Sequence, residues 1–235
     1  MCGFLAVIGN NFPSEEKLKK SLNYQKHRGP DNTKYFSSNN IWFGFNRLKI
    51  IDVTDLANMP LSYGPITIML NGQILNFIEI KKTLIEKSAI FNTVGDSEVL
   101  AASIYYYGIE KTINLIEGMW SFIAHDKRDN SIIISRDPFG KKPLWQSKIN
   151  DCYVFSTEIK SILKLFPNTK DLNYKVIFDF INSSLLDVSN ESFFKHINRF
   201  PQNSYAILRN KKIDYYNIKT INNIKSITPK AKDLK

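Results

Sequence analysis

Cys2 is the residue whose type and position in this 235-residue chain offer the most distinctive chemistry. Removal of the initiator methionine makes it the N-terminal residue, with a thiol and a free amine attached to one carbon. An α-amine with a reference pKa of about 7.7–8.0 is partly neutral at pH 7, so it can serve as general base for a thiol of pKa about 8.5. Such a nucleophile needs no histidine beside it. The alternative is that Cys2 is a small buried hydrophobic residue at the start of a strand.

Asn71 and Gly72 lie between two apolar runs in the segment ITIMLNGQILNF. An Asn-Gly pair in this setting is typical of a tight hairpin turn, and a plain turn is one interpretation. The other is chemical, because the asparagine amide and the following glycine N–H can both donate to one spot and form an oxyanion hole.

Arg47 and Asp96 are two charged residues that each allow a structural and a chemical interpretation. Arg47 interrupts the apolar strand pattern of FNRLKIID, where an unpaired guanidinium is costly. It predicts either a buried ion pair or a group that holds a carboxylate through two hydrogen bonds. Thr93 and Asp96 precede a helical pattern in TVGDSEVL, so either caps the helix, or Asp96 is held there to receive an ammonium group. The segment HRGPD, His27–Asp31, reads only as a loop.

The elements that must position these residues follow from the pattern of the chain. Runs of β-branched and aromatic residues predict six strands: Phe4–Ile8, Ile41–Phe45, Ile66–Leu70, Met119–His125, Ile132–Ser135 and Tyr153–Ser156. Amphipathic spacing predicts four helices: one capped by Ser14 with a stripe at Leu18, Leu22 and Gln25, then Ile78–Ile85, Asp96–Tyr107 and Glu158–Leu165. Strands and helices come in runs rather than in strict alternation, which favours an α+β fold of antiparallel sheets with helices outside.

Composition excludes several classes of function. No apolar run approaches the roughly 18 residues that span a bilayer, and no signal peptide is evident, so we expect no membrane insertion and a cytoplasmic location. Two cysteines and three scattered histidines predict neither a disulfide framework nor a metal site. The formal charge of +10 comes from dispersed lysines, so we expect no nucleic-acid binding. Only 218–235 is both basic and poor in aromatic residues, and we predict a linker or tail there.

Eight motifs taken together resemble a known family. They are, in order, MCGFLAVIG, HRGPD, RLKIID, LNGQILN, GDSEVL, LIEGMWSFIAHD, SRDPFGKKPLW and FSTEIKSIL. Their order and spacing resemble the class II glutamine amidotransferase domain, specifically that of the glutamine-hydrolysing asparagine synthetases, over residues 1–217. The resemblance implies the four-layer sandwich of N-terminal-nucleophile hydrolases, with two antiparallel sheets between helical layers. It also implies an enzyme that hydrolyses L-glutamine to glutamate and ammonia for asparagine biosynthesis.

The resemblance also implies a role for each candidate residue. Cys2 would be the nucleophile that forms a thioester, while the Asn71 side chain and the Gly72 N–H would stabilise the oxyanion. Arg47 would hold the substrate α-carboxylate, and Asp96 its α-ammonium group. His27–Asp31 would belong to a loop near the pocket.

Gln73 departs from the family pattern. The usual motif is Asn-Gly-Glu, and its glutamate resembles a second acceptor for the substrate ammonium. Gln73 can still accept through its carbonyl oxygen, but it carries no charge. Charge-assisted hydrogen bonds are about twice as strong as neutral ones, so we expect a loss of roughly 1–2 kcal/mol, or about tenfold in glutamine affinity.

The second departure concerns the partner of this domain. The family couples it to a synthetase domain that uses ATP and Mg²⁺, and no SGGxDS-type pyrophosphate loop occurs in this chain. We therefore expect no cofactor here, and ammonia delivery to a synthetase domain or subunit outside it; homo-oligomerisation is left open. The alternative function is a weak or inactive glutamine-binding or interaction module, suggested by Gln73 and the missing synthetase domain.

Overall fold

A computed structural model describes residues 1–184 and 189–218, in which twelve strands and five α-helices are found. The strands are β1 (Gly3–Ile8), β2 (Asn32–Ser38), β3 (Ile41–Arg47), β4 (Leu61–Tyr63), β5 (Ile66–Ile74), β6 (Gly118–Asp126), β7 (Ser131–Arg136), β8 (Trp145–Ile149), β9 (Cys152–Ser156), β10 (Asn198–Arg199), β11 (Ser204–Arg209) and β12 (Lys212–Asn217). The helices are α1 (Glu15–Asn23), α2 (Phe77–Ile85), α3 (Asp96–Leu115), α4 (Ile159–Leu165) and α5 (Tyr174–Ser183).

The strands form two six-stranded sheets. The first has the order β10-β8-β9-β1-β3-β2 and the second the order β12-β11-β7-β6-β5-β4. All of their strand pairings are antiparallel. The predicted α+β class with antiparallel sheets is therefore confirmed.

Strand β1 shows how the layers stack. Its side chains alternate, so Phe4, Ala6 and Ile8 enter the core shared with the second sheet, whereas Leu5 and Val7 enter a separate core with α1 and α4. Helices α2 and α3 pack together, and α3 contacts β4 and β5. Four layers result: one helical pair, two sheets and a second helical pair. Burial on both faces explains why β1 reads as one continuous apolar run.

The predicted elements are present, with limits that the structure extends or corrects. All six predicted strands form, and β5 continues past Leu70 to Ile74. Helix α3 bends at Gly108, whose φ of 76° is not helical, so the predicted helix ends just before this bend. Ser14 occupies the N-cap of α1 without a capping side-chain bond, and Gln25 lies beyond the helix end.

The elements that the sequence pattern missed are mostly at edges. Strands β2, β4, β10 and β12 lie at the ends of the two sheets, where one edge of the strand has no neighbouring strand. Of the predicted tail, 219–235 falls outside the described residues, and Ile218 donates its N–H to the Asn203 carbonyl. The domain boundary stays a prediction. No helix of the described ranges has the length and apolarity needed to cross a membrane.

Candidate active site

One cavity of about 140 Å³ collects all six residues predicted from the sequence to act on a substrate. It opens at the end of the sandwich where β1 begins, β3 ends and β5 approaches the N-terminus of α3. These six residues are Cys2, Arg47, Asn71, Gly72, Gln73 and Asp96, and Met1, Asp52, Thr93, Ser97 and Lys142 also contribute to its lining. The six predicted residues, which come from four separate stretches of the chain, thus face one space, which we call the Cys2 cavity.

Cys2 lies immediately before β1 at the wall of this cavity. Its Sγ accepts a hydrogen bond from the Leu48 N–H at 3.4 Å and lies 3.7 Å from the Leu48 carbonyl oxygen. Its own carbonyl oxygen accepts from Arg28 Nε at 2.9 Å. Burial raises the pKa of the thiol above its ordinary value, although the Leu48 N–H and nearby positive charges act in the opposite direction. While Met1 is attached, the Cys2 nitrogen is an amide and cannot act as a base.

Arg47 ends β3, is buried, and donates its hydrogen bonds to neutral oxygens. Its Nη1 donates to the Thr54 carbonyl at 2.7 Å and to Asn58 Oδ1 at 2.8 Å, and its Nη2 donates to the Asp52 carbonyl. The buried ion pair considered from the sequence is thus absent among the described residues. Burial lowers the pKa of Arg47, but the guanidinium titrates far above neutral pH and stays charged.

Asn71 and Gly72 lie inside β5 rather than at a hairpin turn, so the turn interpretation is wrong. Asn71 is paired with Ser121 and Gly72 with Trp120 of β6. The close approach of β6 explains the glycine, because a Cβ at position 72 would lie 2.3 Å from the Met119 carbonyl oxygen. The strand continues because the residues on both sides of the pair are needed in the sheet core.

The edge of β5 that faces away from β6 presents the Gly72 N–H. On this edge the N–H of Leu70 bonds Met59 Sδ, and the N–H of Ile74 bonds Asp96 Oδ2 at 2.9 Å. Alternate residues of an antiparallel strand direct their N–H groups to the same edge, so Gly72 shares the edge of Leu70 and Ile74. Strand β4 pairs only with positions 66–68, which leaves this part of the edge open to the cavity.

Asp96 is the first residue of α3 and is 6% exposed. Gly95 occupies the N-cap position, and Thr93 Oγ1 donates to Glu98 Oε2 at 2.7 Å, so Thr93 does not cap the helix. Besides the Ile74 N–H, the Asp96 carboxylate accepts from Ser97 Oγ at 3.3 Å. Burial raises the pKa of Asp96 despite these bonds and the nearby N–H groups of Asp96 and Ser97, because neutral donors compensate its lost hydration only in part.

The His27–Asp31 segment supports the cavity without lining it. Arg28 holds the Cys2 carbonyl, and Asp31 Oδ2 accepts the Lys49 N–H at 2.8 Å. Gly29 lets the segment approach β3, since a Cβ there would lie 2.1 Å from the Asn46 carbonyl oxygen. These residues form a 3₁₀ turn and a short connection that fix the start of β1 and the exit of β3.

Asp52 is the supporting residue that sequence reasoning most clearly missed. Its Oδ1 accepts from the N–H and hydroxyl of Thr54, and its Oδ2 accepts from the Val94 N–H at 3.0 Å. Burial alone would raise the pKa of Asp52, but these hydrogen bonds outweigh it and hold the pKa below the ordinary value. Asp52 therefore ties the Arg47 loop to the segment before Asp96. The Asp-x-Thr spacing, a known side-chain turn signature, was the available signal.

The cavity thus presents a thiol, a buried cation, a buried carboxylate and an open strand edge with N–H donors. A zwitterionic amino acid with a polar side chain matches this set, because its two charged ends need partners of opposite sign. Within 1–184 and 189–218, no group of three or more histidine, cysteine or acidic side chains is placed to hold a metal ion.

The match to a family model decides the classification. Residues 1–218 match the model described as the glutamine amidotransferase domain. The chain belongs to this family. The resemblance stated from the eight motifs and the predicted enzyme class, glutamine amidotransferase, are therefore confirmed.

Curated relatives of this amidotransferase domain are named glutamine-hydrolysing asparagine synthetases. Asparagine synthetase 1 of Bacillus subtilis (strain 168) is 42% identical over 171 residues, which cover 69% of this chain and 27% of the relative. The Zea mays enzyme is 36% identical over 168 residues, covering 69% of this chain and 28% of that protein. The matched part of this chain thus spans only about a quarter of the length of these relatives.

Solved structures confirm the fold of the amidotransferase domain. Glutamine phosphoribosylpyrophosphate amidotransferase from B. subtilis superposes with a TM-score of 0.71 at 15% identity, covering 94% of this chain and 50% of that one. A class-II glutamine aminotransferase domain protein from Silicibacter pomeroyi gives 0.50 at 10% identity, covering 92% and 98%. At these identities the likeness concerns the fold, which is the predicted N-terminal-nucleophile type.

Proposed function

We propose that this domain hydrolyses L-glutamine to L-glutamate and ammonia through a thioester on Cys2. The observation that carries the proposal is the convergence of Cys2, Arg47, Asn71, Gly72 and Asp96 on one cavity. Gln73, the next residue of β5, also lines this cavity. A domain that only bound glutamine would have no chemical use for a thiol at this position.

The nucleophile requires removal of Met1, which converts the Cys2 amide into an α-amine. The neutral amine takes the thiol proton as Sγ attacks the side-chain carboxamide carbon of glutamine. The tetrahedral intermediate then collapses, the C–N bond breaks, and the amine returns the proton to the departing ammonia. Water attacks the thioester, glutamate leaves, and the thiol is restored.

Arg47 and Asp96 bind the two charged ends of the substrate in this proposal. The guanidinium of Arg47 donates to the α-carboxylate, while the Asp96 carboxylate accepts from the α-ammonium group. The ammonium also offsets the cost of the buried Asp96 charge. Gln73 accepts from the same ammonium through its carbonyl oxygen.

Asn71 and Gly72 stabilise the oxyanion that forms on the carboxamide oxygen. The side-chain N–H of Asn71 and the backbone N–H of Gly72 are the proposed donors. Loss of one such donor in other enzymes costs about 10²–10³ in kcat.

We propose that the ammonia passes to a synthetase domain or subunit that amidates a carboxylate, as the names of the curated relatives suggest. ATP and Mg²⁺ belong to that partner in this proposal, so we expect no tight MgATP binding by this chain in a calorimetric titration. Tight binding would overturn this division of labour. A cytoplasmic location is part of the same proposal.

The decisive experiment is the intact mass of the purified protein before and after incubation with 6-diazo-5-oxo-L-norleucine, a glutamine analogue that alkylates the nucleophile. We expect a starting mass without Met1 and one adduct. Cys2→Ala should form no adduct, whereas Cys152→Ala should react as the wild type does, because Cys152 is buried in another core. A processed wild-type chain that stays unmodified would contradict the proposal and favour the glutamine-binding module.

A further inference from the structure

Ser121 lies directly across the β5–β6 ladder from Asn71. The two residues are register partners, so their side chains project from the same face of the sheet at the distance of a cross-strand pair. Asn71 Nδ2 lies 3.4 Å from Ser121 Oγ. We propose that Ser121 is a positioning residue that orients the Asn71 amide toward the oxyanion; the proposal rests on the function proposed above.

The hydroxyl of Ser121 has one proton, and the structure gives that proton a partner. Ser121 Oγ donates to the Pro143 carbonyl at 3.1 Å. A carbonyl oxygen can only accept, so the hydroxyl offers Asn71 its lone pairs and must receive an N–H from it. The amino end of the Asn71 amide therefore faces Ser121, and its second N–H is left for the cavity. With the amide reversed, a carbonyl oxygen would face the oxyanion and repel it.

Burial makes this arrangement specific. Ser121 is fully buried and Asn71 is 1% exposed, so the bond between their side chains is shielded from bulk water. In such surroundings an unpaired polar group raises the free energy of the folded state, which favours one amide orientation over the other.

The Pro143 carbonyl is itself held by the segment Arg136–Leu144. The Asp137 carboxylate accepts from the N–H groups of Phe139, Lys141 and Lys142 at 2.9–3.0 Å. The Arg136 guanidinium donates to the carbonyls of Gly140, Lys142 and Phe200. These bonds make the acceptor of the Ser121 proton a rigid one, and they connect this turn to the proposed oxyanion donor.

The kinetic test compares Ser121→Ala with Ser135→Ala. Ser135 is equally buried and lies on the adjacent strand β7, where it bonds Trp120 Nε1 and the Ser204 carbonyl instead. Its replacement therefore removes the same hydroxyl group at a position that does not contact Asn71. We expect Ser121→Ala to lower kcat about tenfold, less than the loss of a whole oxyanion donor, with KM for glutamine within about twofold. Ser135→Ala should leave kcat near wild type, and Ser121→Thr, which keeps the hydroxyl, should recover most of it.

A second measurement does not depend on catalytic activity. In ¹H–¹⁵N spectra, the side-chain NH₂ pair of Asn71, assigned by its loss in Asn71→Asp, should shift in Ser121→Ala and stay in place in Ser135→Ala. An unmoved pair, an unchanged kcat, or a Ser121→Ala defect confined to KM would overturn the proposal. A wild-type chain without glutaminase activity would instead contradict the proposed function, and the spectra would still decide the role of Ser121.

Discussion

Asp96 and Glu98 begin the same helix, are both buried, and have opposite surroundings. The Glu98 carboxylate accepts from the N–H groups of Asn92 and Thr93 and from the Thr93 hydroxyl, all within 3.1 Å. The Asp96 carboxylate accepts from the Ile74 N–H and, more weakly, from the Ser97 hydroxyl, with the N–H groups of residues 96 and 97 beside it, and it also lines the Cys2 cavity. One carboxylate anchors the loop, and the other is left with bonding capacity for a ligand.

The same contrast separates two arginines of the region. Arg28 bonds the Cys2 carbonyl and lies 3.4 Å from the Glu158 carboxylate, so its charge is paired within the fold. Arg47 bonds neutral oxygens and lines the cavity. A charged side chain that is paired within the protein thus holds the site in place, whereas one that faces the cavity is a proposed substrate contact.

The largest expected effect comes from Asp96→Asn, which tests the ligand side of this comparison. The variant keeps an acceptor for the Ile74 N–H but removes the negative charge from the ammonium partner. Breaking a buried charged pair typically costs several kcal/mol, so we expect kcat/KM for glutamine to fall roughly 100-fold. Steady-state glutaminase assays measure it, and a change smaller than threefold would remove Asp96 from the ammonium site.

Glu98→Gln is the matched control for the supporting side. The amide retains one acceptor oxygen and places an NH₂ group among N–H donors, so we expect a loss of about 1–3 kcal/mol of folding stability. The change in kcat/KM should stay well below that of Asp96→Asn. Urea denaturation and the same assay decide this, and equal kinetic losses in the two variants would break the comparison.

Gln73→Glu has a smaller expected effect, in the favourable direction. It restores a charged acceptor at the cavity beside Asp96, and we expect KM for glutamine to fall about tenfold. Gln73→Met, of similar length and with no strong acceptor, should raise KM instead. An unchanged or raised KM in Gln73→Glu would place this side chain outside the ammonium site.

The fold was accessible from the sequence for six inner strands, although the inner and largely buried β11 was missed. Six apolar strands lie inside the two sheets and can be recognised from their β-branched and aromatic residues: β1, β3, β5, β6, β7 and β9. Strand β2 was not predicted because many of its side chains are polar and partly or fully exposed. Helix α5 was missed although its residues are amphipathic, and Val176 is the one buried side chain that it carries.

In the candidate site, too, some residues could be predicted from the sequence and others could not. Its cavity-lining residues were recognisable because their motifs have a family pattern. The residues that hold them were not, since the bond from Asp52 to Val94 and the bond from Asn71 to Ser121 join positions 42 and 50 residues apart. The residues next to a position in the sequence do not reveal a hydrogen-bond partner that is more than 40 residues away. It also misled at Asn71-Gly72, because the glycine answers the close approach of β6 rather than a turn.

The smallest expected effect is a pH dependence of stability, and its sign follows from Asp96. Burial raises its folded-state pKa above the unfolded value of about 3.9. Between the two values the folded state holds a proton that the unfolded state has lost, so stability falls as pH rises through this window and the deficit persists at neutral pH. Asp96→Asn should therefore match wild type below about pH 4 and exceed it at pH 7. Each kcal/mol relieved raises Tm by about 2–4 °C in a chain of this size. Thermal melts across pH 3–7 measure the difference. A variant that is less stable than wild type at pH 7 but equal at low pH would show that the Asp96 charge is compensated inside the protein.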